Sequence, residues 1–195
     1  MKKIIASILL LNSIVLIGCE KDNSFVIESQ EVKTEQSKLS LFVDDGASKY
    51  KIRNLPIDKK YRLDIIYEVY KDNDKVTDIS IFSTTYAPLE NSDKNYNVED
   101  STLILNILKG NNIVINLNGT QSIYTAEDDL LSLASAYFKG NKEINIGDDI
   151  YLYCASNNVN MGNIESIIDD NNPNMSFEKN GTNIFIKLAF KEVQE

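Results

Sequence analysis

From residue 39 onward apolar and polar residues alternate with a period of two, and that alternation restricts the fold more than any other feature of the chain. Leu39, Leu41 and Val43 alternate with mostly polar neighbours, Phe42 excepted, up to Asp44-Asp45-Gly46, and Leu63, Ile65, Tyr67 and Val69 do so in the next long run, Ile66 excepted. Side chains of a strand point to opposite faces in turn, so such runs build sheets with one face buried. Lys71 to Lys75 is a polar hairpin loop, after which the strand pattern returns over Val76 to Thr84. Leu103, Leu105 and Ile107 form another strand, ended by Lys109-Gly110-Asn111-Asn112, and Glu143 to Ile146 and Asp149 to Ala155 form two more.

Two Asn-Gly steps predict type I′ hairpins, because both central positions of that turn need positive φ. Asn118-Gly119 would join Ile113–Leu117 to Thr120–Tyr124. Asn180-Gly181 would join Met175–Lys179 to Thr182–Phe190, setting Phe177 opposite Ile184 and Met175 opposite Ile186. Residues 157–174 form an asparagine-rich loop closed by Asn172-Pro173. One segment departs from the β habit. Thr125 to Asp128 has the form of a helix N-cap with acids in the first turn, and Leu130, Leu131, Ala134, Tyr137 and Phe138 share one helical stripe before Gly140. This predicts a helix over Ala126–Lys139, with a strand through Leu131, Leu133 and Ser135 as the competing pattern. About seven to nine short strands with regular turns then make the chain mainly β: a single antiparallel β-sandwich, immunoglobulin- or transthyretin-like, with one short helix.

Ahead of this domain stands a different kind of sequence. Lys2 and Lys3 precede an apolar run from Ile4 to Ile17, and Leu16-Ile17-Gly18 stands directly before Cys19. The run is too short and too weakly flanked for a membrane span and has the pattern of a secretion signal. The tetrad Leu16-Ile17-Gly18-Cys19 resembles the lipobox of bacterial lipoproteins, which implies cleavage after residue 18 and diacylglycerol on the Cys19 thiol. Each buried methylene contributes roughly 0.8 kcal/mol, so two or three acyl chains hold firmly. Glu20 and Asp22 resemble the acidic signal that sends some such proteins to the outer face of the outer membrane, with the outer face of a cytoplasmic membrane as the alternative. The expected organisation is a cleaved signal over 1–18, the lipidated cysteine and a polar tether over 19–38, and the sandwich over 39–195. Phe25 to Ile27 could instead begin the first strand.

Charge and residue usage narrow the chemistry. The chain carries −9, and without Lys2 and Lys3 the remainder carries −11. That repels phosphate backbones, which argues against nucleic acid as a partner, and it sets the domain off from anionic headgroups. With Cys19 consumed, Cys154 is the sole remaining thiol, in a strand-like run where a small buried hydrophobe is expected. There is no histidine, which removes Ser/His/Asp and Cys/His catalysis and His-containing zinc sites. Asp72-Asn73-Asp74 and Asp169-Asp170-Asn171-Asn172 offer oxygen ligands but lack the glycine and distal glutamate of a calcium loop, so solvated turns are expected. No metal or cofactor is expected.

Leu55 to Tyr67 followed by Tyr70-Lys71-Asp72-Asn73-Asp74-Lys75-Val76 resembles the turn, strand, acidic hairpin and strand unit of fimbrillin-like and minor-pilin lipoproteins. Leu108 to Asn111 and Ala136 to Ile144 are similar to the second half of those proteins, although the chain has room for one sandwich where they have two. The resemblance implies a transthyretin-like sandwich with an assembly or adhesion role.

Together these features point to a non-enzymatic, lipid-anchored surface or envelope protein that binds a protein or envelope component. Tyr67, Tyr70, Tyr86 and Tyr96 are its candidate contact residues, since Tyr supplies contact area at low entropic cost. A lipid-anchored inhibitor or immunity-type protein, steered by acidic charge to a basic target, is the alternative. A hydrolase working through two carboxylates is the third; Asp64, Glu68, Asp78, Asp148 and Asp149 lie on strands or at their ends, but no pair stands out and no catalytic residue is assigned. Mass spectrometry of the mature N-terminus should find Cys19 carrying acyl groups, and Cys19→Ser should release the protein from the membrane fraction. An unmodified residue 19 would remove the anchor.

Overall fold

The structure is a computed structural model that describes residues 24–31, 47–57, 59–72, 74–87, 100–157 and 181–193. Eleven strands form it: β1 Phe25–Gln30, β2 Ala47–Arg53, β3 Tyr61–Lys71, β4 Asp74–Tyr86, β5 Asp100–Leu108, β6 Asn112–Leu117, β7 Thr120–Thr125, β8 Ala134–Tyr137, β9 Asn141–Ile144, β10 Asp149–Ser156 and β11 Thr182–Glu192. One sheet has the order β7-β6-β5-β2-β1-β9 and the other β4-β3-β11-β10-β8. Every pairing is antiparallel, and the two sheets pack face to face as a β-sandwich.

The core lies between the sheets, where the period-two pattern puts it. Phe25, Ile27, Tyr50, Ile52, Leu103 and Leu105 line one sheet, and Leu63, Ile65, Tyr67, Ile184, Ile186 and Leu188 the other, all buried. Two contacts tie the layers together. The Tyr50 hydroxyl donates to the Leu152 carbonyl at 3.0 Å, and the rings of Phe25 and Phe190 meet with centroids 4.1 Å apart.

The Asn118-Gly119 hairpin forms as expected, with Leu117 opposite Thr120 and φ of 50° and 90° at the two turn residues. The second Asn-Gly step behaves differently. Both edges of β11 are occupied, by β3 and by β10, so Ile184 faces Val69 and Ala155. No edge is left for the expected partner Met175–Lys179, which lies outside the described residues, as do Leu39 to Val43 and Asn172-Pro173.

Two further expectations are corrected. The helix over Ala126–Lys139 is absent: Leu130–Ser132 is a single 3-10 turn, and Ala134–Tyr137 is strand β8, with Ala136 opposite Cys154. Five apolar residues at helical spacing fit either structure, and pairing with β10 decides for the strand. Phe25–Gln30 falls inside the expected tether of 19–38 but is strand β1, paired on both sides, so the sandwich starts at Phe25.

Gly119 has nothing within 4 Å of where a Cβ would stand, so the cost of a side chain there is purely conformational. Gly119→Ala should lower stability by about 1–2 kcal/mol in urea unfolding. An unchanged midpoint would mean that the turn does not need its left-handed residue.

Candidate functional site

The outward face of the β4-β3-β11-β10-β8 sheet carries charges where a solvated sheet would normally carry neutral polar residues. Asp64 and Glu68 stand four residues apart on β3 and are 1% and 0% exposed. Each sits diagonally across from a lysine of β11, because Asp64 pairs with Ala189 and Glu68 with Phe185. Glu68 Oε1 receives Lys75 Nζ at 2.8 Å and Lys187 Nζ at 3.1 Å. Lys75 also reaches Asp78 at 2.9 Å, and Lys187 reaches Asp149 at 2.7 Å. The result is a chain of alternating sign, Asp78, Lys75, Glu68, Lys187 and Asp149, that crosses four strands. Burial works to lower the Lys187 pKa, but Asp149 and Glu68 outweigh it and hold the ammonium above its ordinary value. Glu68 Oε2 is buried without a hydrogen-bond partner.

Asp64 anchors a second cluster. Its Oδ2 accepts from Arg62 Nε at 3.1 Å and Nη2 at 3.0 Å and from Lys191 Nζ at 2.9 Å, and its Oδ1 accepts from the Ser83 hydroxyl at 2.7 Å. Burial pushes the carboxyl pKa up, but Ser83, Lys191 and Arg62 outweigh it and hold it below the usual value. Arg62 and Asp64 form one wall of a shallow, open groove of about 440 Å³ whose other wall is Ser80 to Ser83 of β4.

β4 is the most open element of the sandwich. It is thirteen residues long, lies at the edge of its sheet and has no buried residue. The edge strands on the far flank, β8 and β9, have only four residues each. Val76 and Ile79 are exposed on β4. The register shifts between Ile65 and Ile66, which makes Ile81 an extra residue opposite β3, and the Ile81 carbonyl accepts from the Ser122 hydroxyl of β7 at 3.4 Å. A bulge of this kind twists an edge and interrupts its row of free backbone groups. A second shift, between Val69 and Tyr70, makes Val76 another extra residue, and on either side of Ile81 the segments Asp74–Ser80 and Phe82–Tyr86 have no strand partner on their outer side among the described residues.

Of the expected contact tyrosines, Tyr67 and Tyr86 turn inward, whereas Tyr70 lies on the charged face with Glu68, where Lys75 Nζ stands 5.5 Å from its ring centroid. Tyr67 is buried against Tyr124 at 5.4 Å, Tyr70 is half-buried edge-on to Phe185, and Tyr86 stacks on Tyr61 at 5.0 Å; Tyr96 lies outside the described residues. Tyr67 is core because its place in the alternation is the inner one. Cys154 is fully buried, and burial pushes its thiol up to about 12, so it behaves as the small hydrophobe expected. Asp72 spends its groups on the chain itself: Oδ1 accepts from Gly181 N at 3.1 Å, and its N–H donates to Gly181 O at 3.1 Å. No group of three metal-ligating side chains occurs among the described residues, and Asp169 to Asn172 and Cys19 lie outside them. Asp148 accepts from the Asn145 N–H at 2.9 Å and closes the turn before β10. Asp64 and Glu68 are about 13 Å apart along one strand, beyond the spacing of a glycosidase pair. An ammonium joins Glu68 to each of its acidic neighbours, Asp78 and Asp149.

Complementary spacing could have signalled the outer face, since Asp64 and Glu68 are four apart and so are Lys187 and Lys191. Comparison of the chain with protein-family models, curated proteins and solved structures finds no match.

Because the Asp64 pKa is lowered by folding, its contribution is present above the unfolded value near 3.9 and is lost as pH falls below it. Asp64→Asn should cost about 1–3 kcal/mol at neutral pH. Its loss of stability between about pH 4 and 2 should also be shallower than that of the parent. Denaturant midpoints at several pH values measure both; parallel curves would show that Asp64 is not a coupled anion.

Proposed function

We propose that this chain is a non-enzymatic envelope lipoprotein, held by acyl groups on Cys19, whose sandwich binds an extended segment of another protein along β4. The observation that carries the reading is the edge strand itself: thirteen residues, none buried, with no outer partner among the described residues. An unpaired edge is a template for strand addition, in which backbone hydrogen bonds give affinity and alternate side chains give specificity. Short edges are one way sandwiches avoid such pairing, and β8 and β9 on the far flank follow it, whereas β4 is long and is interrupted only by its bulges. Val76 and Ile79 supply apolar contacts on one half of the strand, and the groove beside Arg62 and Asp64 supplies polar ones on the other. An assembly or adhesion role is the form of this binding that the fimbrillin-like resemblance implies.

A photocrosslinking residue at Val76 or Ser80 in living cells should give one discrete adduct, and the same residue at Glu143 on the opposite flank should give none. Absence of a discrete adduct from any exposed β4 position would sink the reading.

A further inference from the structure

The start of β1 fixes how the sandwich meets its membrane. Six residue steps separate Cys19 from Phe25, which span at most about 20 Å when fully extended. Phe25 is held inside a sheet, opposite Ile144 of β9, and packs on Phe190. The end of the sandwich that contains Phe25 therefore cannot leave the surface by more than that length. Antiparallel register places the β2–β3 connection at this end, since Val26 pairs with Arg53 and Phe190 with Leu63.

That connection differs from the rest of the chain in charge. Arg53 to Arg62 holds four bases, Arg53, Lys59, Lys60 and Arg62, against the single acid Asp58, within a chain of net charge −9. Arg53 and Arg62 are engaged by Glu28 and Asp64, whereas Lys59 and Lys60 have no ion pair among the described residues. Three acids at the same end are also occupied: Asp100 by Lys51, Asp149 by Lys187 and Asp148 by the Asn145 N–H, which leaves Glu143 and Glu192 among the described residues. Ile57, at the middle of the connection, is an exposed large hydrophobic residue. The opposite end of the sandwich carries the acids Asp72, Asp74, Glu127, Asp128 and Asp129 together with Lys71, Lys75 and Lys109. Net charge alone sets the whole domain off from anionic headgroups, but the connection beside Phe25 is locally basic and carries two lysines, Lys59 and Lys60, outside any ion pair among the described residues.

We propose that the β2–β3 connection, with Ile57, Lys59 and Lys60, rests on the phospholipid headgroup layer to which Cys19 anchors the chain. Lysine stems lie along apolar surface while their ammonium groups reach phosphate, and each such group near an anionic surface contributes about 1 kcal/mol. This inference rests on the lipid-anchor reading.

The test uses the full chain, acylated at Cys19 and reconstituted in vesicles with nitroxide-headgroup lipids, with a fluorophore on Ile57→Cys or on Lys109→Cys at the opposite end. Buried Cys154 does not compete for label. Quenching severalfold stronger at 57 than at 109 supports the proposal; equal or reversed quenching overturns it. Reversing Lys59 and Lys60 to Glu should reduce quenching at 57 on phosphatidylglycerol vesicles and leave it unchanged on phosphatidylcholine; no change on either overturns the headgroup contact. Mass spectrometry of the same samples separates the two readings. Acylated Cys19 without the quenching difference removes only this inference, whereas unmodified Cys19 overturns both.

Discussion

The ring contact between Phe25 and Phe190 joins the first and last strands of the sandwich, and the arrangement of both sheets depends on it. β1 lies between β2 and β9, and β11 lies between β3 and β10, so each terminal strand is interior to its sheet. Neither layer is continuous until both ends of the chain are in place. Such pairings are far apart in sequence, and the loop-closure entropy they require makes folding slow compared with a chain built from local hairpins. Tyr61 extends the same cluster, lying 6.3 Å from Phe190 and stacked on Tyr86, so the start of β3 and the end of β4 are seated by the same aromatic group.

Once β11 is seated, its register is policed by charge. Slipping β11 by one residue would turn Lys187 and Lys191 into the core and leave Asp64 and Glu68 without their β11 cations. Removing water from a carboxylate costs several kcal/mol, which the lysines offset only in the observed register. A hydrophobic outer face would not penalise the slip in this way. The charged ladder is therefore better understood as a device that selects one pairing than as a large source of stability, and the pairs of Lys75 and Lys191, whose side chains are partly exposed, are further weakened by solvent screening.

Much of this was legible in residue order. Leu63, Ile65, Tyr67 and Val69 declare the inner face of β3, and Asn118-Gly119 declares its turn through the φ values it tolerates. What escaped has a common cause. Ala134 to Tyr137 carries a helical stripe locally and becomes a strand because Tyr153 to Ser156 pairs with it. Asn180-Gly181 carries a hairpin signal locally, but Asp72 captures Gly181 and β3 and β10 take both edges of the strand that follows. Phe25 to Ile27 is too short a pattern to outweigh its polar flanks, yet it is interior to a sheet. In each case a partner distant in sequence decided the structure, which periodicity does not record. The candidate surface was less legible than the fold. Val76 and Ile79 are apolar residues in a strand pattern, and nothing in residue order says that their strand lies at a sheet edge, where both are exposed.

On the proposed anchor at Cys19, anchor and edge would combine into a single orientation. β4 runs antiparallel to β3, whose first residue Tyr61 lies at the end beside Phe25, so Tyr86 is the near end of β4 and Asp74 the far end. Twelve residue steps of strand span about 40 Å, so Asp74 to Ser80 occupies the half of the edge farthest from Phe25. That half carries Val76 and Ile79, while the near half carries the groove formed with Arg62 and Asp64. The bulge at Ile81 divides the two and is tied to β7 through Ser122. A polypeptide arriving from outside the membrane would meet the apolar half first, where no lipid competes for it, and reach the polar groove only on aligning with the rest of the strand. Were the opposite end held at the surface, the apolar half would face the headgroups and be the less accessible of the two, so under the proposed anchor the six residue steps between Cys19 and Phe25 would govern which half of the edge is open to a partner.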